Sequence, residues 1–326
     1  MKGYLIDVPV LLIFFKRDDT FKRVFDIIKQ VKPSTLLLWQ DGARENNQSD
    51  IEGITRCRAI AEDIDWECTV YKKYNDVNYG CDPSTFYSHR WAFTLVEKCI
   101  ILEDDQVPTK SYFPFCKELL DKYENDYRIS HICGMNLVDC SSYDSDYLFS
   151  IFGSNCWASW RRVVSNLEEN YDFLHNECAL KNIKKKIGKH FDDVYKVALQ
   201  RESTGIPYWE SILCFGALMN NQYAIIPKVN MVTNCGNTAD STHSQVNAKY
   251  LTKEEQRIFG MKANEISFPL KHPKYVIEDF DYMAKRDGFF AIGHPYKAFY
   301  RRVHLLMMYL VHGEFLSRLK KKYNKR

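Results

Sequence analysis

The chain has 326 residues, 45% of them hydrophobic and 14% aromatic, which is enough to bury a large core and excludes a disordered polymer. A formal net charge of +3 is too small to make nucleic acid the expected partner, and the basic residues gather toward the C-terminus. Eleven cysteines, odd in number and without a CxxC pair, predict a reduced, cytoplasmic chain with no disulfide framework and no zinc site.

The apolar run Val10 to Phe15 follows a single basic residue, Lys2, and no small-residue cleavage site comes after it. Residues 8–15 therefore read as a first core strand and not as a signal peptide. Phe21, Val24, Phe25, Ile28 and Val31 recur at helical spacing, and Pro33 ends that helix. A second strand, residues 35–39, closes in Gln40-Asp41-Gly42. A helix over 51–64, a strand at 68–71, a loop at 75–81 and a helix over 84–96 follow. They lead into Cys99-Ile100-Ile101-Leu102-Glu103-Asp104-Asp105, an apolar run that steps into acid and continues as Gln106-Val107-Pro108. Further on come a helix over 112–123, strands at 129–133 and 224–227, and a solvated helix face at 181–189. Strands alternating with helices predict an α/β fold, a mainly parallel Rossmann-like central sheet with helices on both faces. The acidic step then falls at the sheet's carboxyl edge, where such folds bind ligands. No stretch is long and apolar enough to span a bilayer.

Adjacent carboxylates after a buried strand suit a hard cation such as Mg²⁺ or Mn²⁺, which takes oxygen ligands and keeps positions open for substrate phosphates. An exposed acidic turn has the same sequence appearance.

Other segments stand around this one in order: Phe14-Phe15-Lys16-Arg17, Gln40-Asp41-Gly42, Asn78-Tyr79-Gly80-Cys81, and Tyr112-Phe113-Pro114-Phe115-Cys116. Then come Ile132-Cys133-Gly134-Met135-Asn136, Trp157-Ala158-Ser159-Trp160-Arg161-Arg162, Ile226-Pro227-Lys228-Val229-Asn230, Asn234-Cys235-Gly236 and Ser241-Thr242-His243. Together they resemble the GT-A nucleotide-diphospho-sugar glycosyltransferases, more narrowly bacterial relatives of the N-acetylglucosaminyltransferase I type.

The resemblance implies Asp105 as the ligand of Mn²⁺ or Mg²⁺, Asp104 near the ribose or metal-bound water, and Glu103 near the nucleotide. It implies a uridine-type donor pocket at Arg17 and Asp41, although a surface arginine and a turn-forming Asp-Gly fit those two residues as well. Asn78 and Gly80 line that pocket or only shape a turn. His243 is expected at the metal or diphosphate. Inverting transfer needs a base for the acceptor hydroxyl, and Glu210 is the candidate, with Asp240 in reserve. The other reading of Glu210 is an acid favoured at a helix N-terminus. Relatives more often carry Asp there, and Asn155-Cys156 stands where they often carry Trp-Gly. Trp157, Trp160, Arg161 and Arg162 either line the sugar site or form a core aromatic pair beside solvated arginines.

Phe299, Val303, Leu306, Leu310, Leu316 and Leu319 form an apolar stripe, and residues 298–326 carry eight Lys/Arg against one Glu. Such a helix either lies on an anionic membrane surface or packs on the catalytic domain. The expected organisation is a GT-A catalytic domain over 1–245 and a helical extension over 246–326. The expected activity is metal-dependent transfer from a nucleotide-sugar donor, UDP-linked, to a glycan or lipid-linked glycan acceptor in capsule, O-antigen or lipopolysaccharide synthesis. It would take place in the cytoplasm, at the inner face of the membrane. One alternative is a sugar-1-phosphate nucleotidyltransferase, which Phe15-Lys16-Arg17-Asp18-Asp19 disfavours for want of glycine. Another is a non-catalytic, membrane-associated sugar-nucleotide-binding protein.

Overall fold

The computed structural model describes residues 3, 5–153, 155–236 and 248–314, so Asp240, His243, Leu316 and Leu319 lie outside the described residues. The first apolar run forms the central strand β1 (Ile6–Phe14), almost wholly buried. Helix α1 (Asp18–Val31) begins ahead of its apolar spacing because Asp18 and Asp19 suit the positive end of a helix. Its Phe21 ring lies 4.4 Å from that of Phe14, and burying such a side chain contributes about 2 kcal/mol. Lys32, left-handed at φ 51°, ends the helix, and Pro33 opens β2 (Pro33–Gln40), a position where its missing N–H is tolerated. Asn47 then caps α2 (Gln48–Ala61), its side chain accepting the Asp50 N–H at 3.1 Å. Next come β3 (Thr69–Tyr74), α3 (Cys81–Leu95) and β4 (Lys98–Glu103), which carries the apolar run into the acids.

The middle of the chain forms β5 (Gln106–Pro108), α4 (Tyr112–Lys122), β6 (Ile129–Cys133), β7 (Tyr147–Ser150), β8 (Trp157–Trp160), α5 (Arg161–Val164), α6 (Glu177–Ile187), α7 (Phe191–Glu202), α8 (Trp209–Met219), β9 (Tyr223–Pro227) and β10 (Val232–Asn234). The main sheet has eight strands in the order β3-β2-β1-β4-β8-β6-β9-β7. Strands β7 and β8 run against the other six. The fold is thus the mainly parallel α/β sheet that the sequence predicts. Strands β2 and β4 flank β1 in parallel, with Ile13 opposite both Trp39 and Glu103. Their following loops emerge together at one edge. Strand β5 pairs with β10 in a separate antiparallel ribbon.

The C-terminal part forms α9 (Lys253–Gln256), α10 (Phe280–Phe290) and α11 (Pro295–Val311). Between α9 and α10 the chain straps back onto the sheet: the Ile266 N–H donates to Ser111 Oγ at 2.9 Å, and the Lys271 N–H to Asp146 Oδ2 at 2.6 Å. Ile266 and Leu270 join the main core, while Tyr282 and Met283 of α10 complete a second apolar cluster with Phe152, Ile187 and Phe191. Among the described residues no helix is long and apolar enough to cross a membrane, and none of the eleven cysteines is in a disulfide.

Where the halves of the sheet meet, Trp157 stacks on Trp209 at 5.5 Å, and His89 meets both rings edge-on at 5.0 and 5.4 Å. His131 lies 5.9 Å from Trp157. Burial pushes His89 down to about 3 and His131 down to about 4. Both are therefore neutral in the native state at pH 5, whereas an unfolded histidine titrates near 6.5. Below about pH 6.5 the unfolded chain takes up protons that the native state refuses, so the stability these groups retain at neutral pH is lost as pH falls. For His131 the loss by pH 4 is on the order of 3 kcal/mol. Urea unfolding at pH 5 and pH 7.5 is expected to show a smaller acid loss in His131→Gln than in the wild-type chain; identical losses would exclude this origin.

Candidate active site

At the carboxyl edge of β1, β2 and β4 the loops enclose a cavity of about 430 Å³, lined by Phe15, Lys16, Arg17, Asp41, Asn78, Glu103 and Asp104 among others. Asp41 organises one side of it. Its carboxylate accepts the backbone N–H groups of Gly42, Tyr79 and Gly80 at 3.1, 2.9 and 3.0 Å, and the Asn78 amide at 3.1 Å. Burial raises the Asp41 pKa above its ordinary value, and these donors oppose that rise only in part. The Asn78 amide also donates to the Gly42 carbonyl at 2.7 Å, so this side chain is spent on fastening the loop. Glycine at 42 permits the close approach, since a Cβ there would lie 2.6 Å from the Val77 carbonyl carbon.

The acids form the opposite side. Arg17 Nη2 donates to Asp104 and, at 3.0 Å, to Asp105, while the Phe15 N–H donates to Asp104 at 3.3 Å. Burial, then repulsion from Asp105, Glu210 and Asp104, pushes Glu103 up to about 8. Burial pushes Asp104 up to about 6 against the pull of Arg17. Burial alone would lower the Arg17 pKa, but the two aspartates outweigh it and raise it. Asp104 and Asp105 thus share one guanidinium, with Glu103 crowded beside them.

That donor set is hard oxygen and fits Mg²⁺ or Mn²⁺. Among the described residues no three His, Cys, Asp or Glu side chains form a metal-holding group. The ribbon of β5 and β10 returns the chain to Asp105, whose carbonyl accepts the Cys235 N–H at 2.8 Å. A Cβ at Gly236 would lie 2.3 Å from Asp105 Oδ2, so the bare glycine backbone is what allows the approach.

A second cavity of about 400 Å³ has His131, Phe152, Trp209, Glu210, Cys214 and Arg286 in its wall. Glu210 occupies the first turn of α8, where the helix dipole favours its charge, and the Tyr208 hydroxyl donates to it. Its charge is among those that raise the Glu103 pKa.

Two expected residues are placed elsewhere. Trp157 is 2% exposed beneath Trp209, and it is Trp209 that lines the cavity. Arg161 follows β8, which runs antiparallel and sets Trp160 opposite Lys98 at the start of β4. It therefore emerges at the far edge of the sheet, donating to the Phe93 carbonyl at 2.6 Å and pairing with Glu97. Arg162 is likewise spent, on carbonyls including that of Ile129 at 3.1 Å. Conversely, Lys16 and Arg44 line the first cavity without having been singled out; both pair with the buried Asp50, at 2.9 and 2.6 Å. The position of Lys16 beside Arg17 at a strand end was the available signal. Arg286, in α10, had none.

No family model matches the chain, and no curated protein matches it. Solved structures that it resembles include 4-diphosphocytidyl-2C-methyl-D-erythritol synthase from Anaerococcus prevotii, at 12% identity over 52% of this chain and 78% of that chain, with a TM-score of 0.32. Another is a UDP-glucose pyrophosphorylase complexed with UDP-glucose, at 6% identity over 70% of this chain and 93% of that chain, also with a TM-score of 0.32.

Removing the Asp41 carboxylate would leave three backbone donors without their acceptor. Asp41→Ala is expected to lower stability by about 1–3 kcal/mol and to speed amide exchange at Tyr79 and Gly80 at least about tenfold, with Asp41→Asn intermediate. Unchanged exchange at both amides would show that the loop is held by other contacts.

Proposed function

We propose that the chain is a metal-dependent glycosyltransferase of the GT-A type, which moves a sugar from a UDP-linked donor to a hydroxyl acceptor with inversion, in the synthesis of a surface glycan such as capsule, O-antigen or lipopolysaccharide. The observation that supports this reading is a pair of cavities, the first bounded by the acids, Arg17 and the Asp41 loop, the second holding Glu210 in its wall. Group transfer between two bound molecules requires such a pair, one for each substrate. In this proposal the catalytic unit spans residues 1–245, and the extension over 246–326 supplies the outer wall of the second cavity.

Asp105, with Asp104 beside it and His243 from the following segment, would hold Mn²⁺ or Mg²⁺, and the bound cation offsets charge that develops on the departing diphosphate. Arg17 keeps the two aspartates gathered at the donor side, while Glu103, Asp41 and the loop fastened by Asn78 bound the nucleotide. Glu210 takes the proton of the acceptor hydroxyl as that oxygen attacks the anomeric carbon opposite the leaving diphosphate. The Tyr208 hydroxyl orients the Glu210 carboxylate. Trp157 acts through Trp209, which stacks on it and reaches the wall of the second cavity.

The nucleotidyltransferase alternative has Lys16 and Arg44 in its favour, as basic groups on the first cavity, yet Asp50 holds both. With Mn²⁺ and a panel of UDP-sugars, Asp105→Ala is expected to abolish UDP release, and Glu210→Gln to lower kcat by about 10²- to 10⁴-fold. Pyrophosphate release from UTP and a sugar 1-phosphate, with no UDP released from any UDP-sugar, would overturn the transferase reading in favour of the alternative.

Of the apolar stripe on α11, Val303 is half-buried, while Phe299, Leu306 and Leu310 remain 67%, 49% and 58% exposed. We propose that it makes peripheral contact with an anionic membrane, where a lipid-linked acceptor would be presented. Phosphatidylglycerol vesicles are expected to sediment the wild-type chain but not the Phe299→Asp, Leu310→Asp double variant. Equal sedimentation of the two would remove the helix from that role.

A further inference from the structure

Arg286 projects from α10 into the wall of the second cavity. Its guanidinium carbon lies 4.8 Å from the ring centroid of Phe152 and 4.8 Å from that of Phe290, so the planar group sits between two aromatic faces. Its acidic sequence neighbour, Asp287, is taken by Lys189 at 2.6 Å and by His190 at 3.4 Å. Among the described residues Arg286 has no hydrogen bond and no ion pair, with Glu210 or with any other acid. Burial lowers its pKa from the ordinary arginine value, and Tyr282, Cys214 and Asp287 offset that only in part.

The cavity therefore contains a carboxylate that the Tyr208 hydroxyl orients and a guanidinium whose forked donors the fold leaves unused. Much of the remaining wall is apolar, including Phe152, Leu213, Ile258 and Phe290. Aromatic faces stabilise the cation but accept no N–H hydrogen bond of normal strength. A planar fork of donors in a partly dry cavity is matched by a carboxylate or a phosphate, which takes two parallel hydrogen bonds. A neutral ligand can offer hydroxyl acceptors but no countercharge, and a cation left without one on burial is penalised.

We propose that the acceptor bound in this cavity carries an anionic group, a carboxylate or a phosphate, which Arg286 grips while the reacting hydroxyl faces Glu210. The inference rests on the transferase reading of Glu210, because that reading makes this cavity the acceptor's. Specificity for an acidic acceptor then resides in the C-terminal extension, and the base resides in α8.

Calorimetric titration with three probes tests it: methyl glucuronide as the carboxylate, glucose 6-phosphate as the phosphate, and methyl glucoside as the neutral control. The wild-type chain is expected to bind at least one anionic probe about tenfold or more tightly than the glucoside, and the better of the two anions identifies the group. Arg286→Met is expected to bring the anions down to the neutral level. Arg286→Lys, which keeps the charge but not the planar fork, is expected to fall between them, and thermal melting of both variants checks that they fold. Equal binding of all three probes by the wild-type chain would overturn the inference, as would undiminished anion binding by Arg286→Met or an equal loss of UDP binding in that variant.

UDP release with the same sugars as acceptors separates the two readings. Turnover with the neutral acceptor as fast as with the anions would remove the acidic acceptor and leave the transferase standing. Anion binding through Arg286 without UDP release from any donor would leave an anion site and remove the transferase.

Discussion

Three consecutive carboxylates at the end of a central strand repel one another, and the architecture around β4 follows from containing that repulsion. Parallel pairing with β1 sets Glu103 opposite Ile13, and the loop that follows β1 passes over the acids. Arg17 meets Asp104 and Asp105 from that loop. The loop is itself pinned, because Lys16 binds Asp50 in the first turn of α2, where Arg44 binds as well. Compensation is incomplete: Glu103 still rises to about 8 and Asp104 to about 6. In the proposed function, that shortage of positive charge is what a cation arriving with an anionic substrate would relieve.

The second cavity depends on a different constraint. Its floor is the junction of the sheet with α8, where Trp209 stacks on Trp157 and Glu210 opens the helix. Its outer wall comes from far along the chain. Ile266 and Leu270 enter the main core, and Tyr282 and Met283 seal the second apolar cluster. These contacts turn α10 so that Arg286 reaches the cavity. The extension is thus held by burial of apolar surface at several points, and its arginine has a defined address for that reason.

Legibility in the sequence varied with the length and period of each element. Residues 129–133 read as a strand and form β6 with those bounds; the acidic step, the Asp41 turn and the alternation of early strands and helices were all visible as pattern. Boundaries moved by a turn where a cap or charge extended an element, as at Asp18 and Asn47. Strands β7 and β8 were not identified as strands. Each is four residues long and buried throughout, so neither displays a period. The placing of Arg161 has the same source: the segment Trp157-Ala158-Ser159-Trp160-Arg161-Arg162 reveals its composition but not the direction in which its strand runs.

By itself the sequence determined the class of the sheet, the carboxyl edge at which acids gather and the candidates Asp41, Asp105 and Glu210 as chemistry in search of a geometry. Apolar periodicity and turn chemistry are local properties, carried by residues within one element, and they can be read without knowing what packs against it. Tertiary structure alone decided that β8 is reversed, that Arg161 leaves at the far edge and that Trp209 covers Trp157. It also brought Gly236 back to Asp105 and Arg286 to the cavity of Glu210. These facts depend on which distant segment buries which face, and that choice is made by the core as a whole.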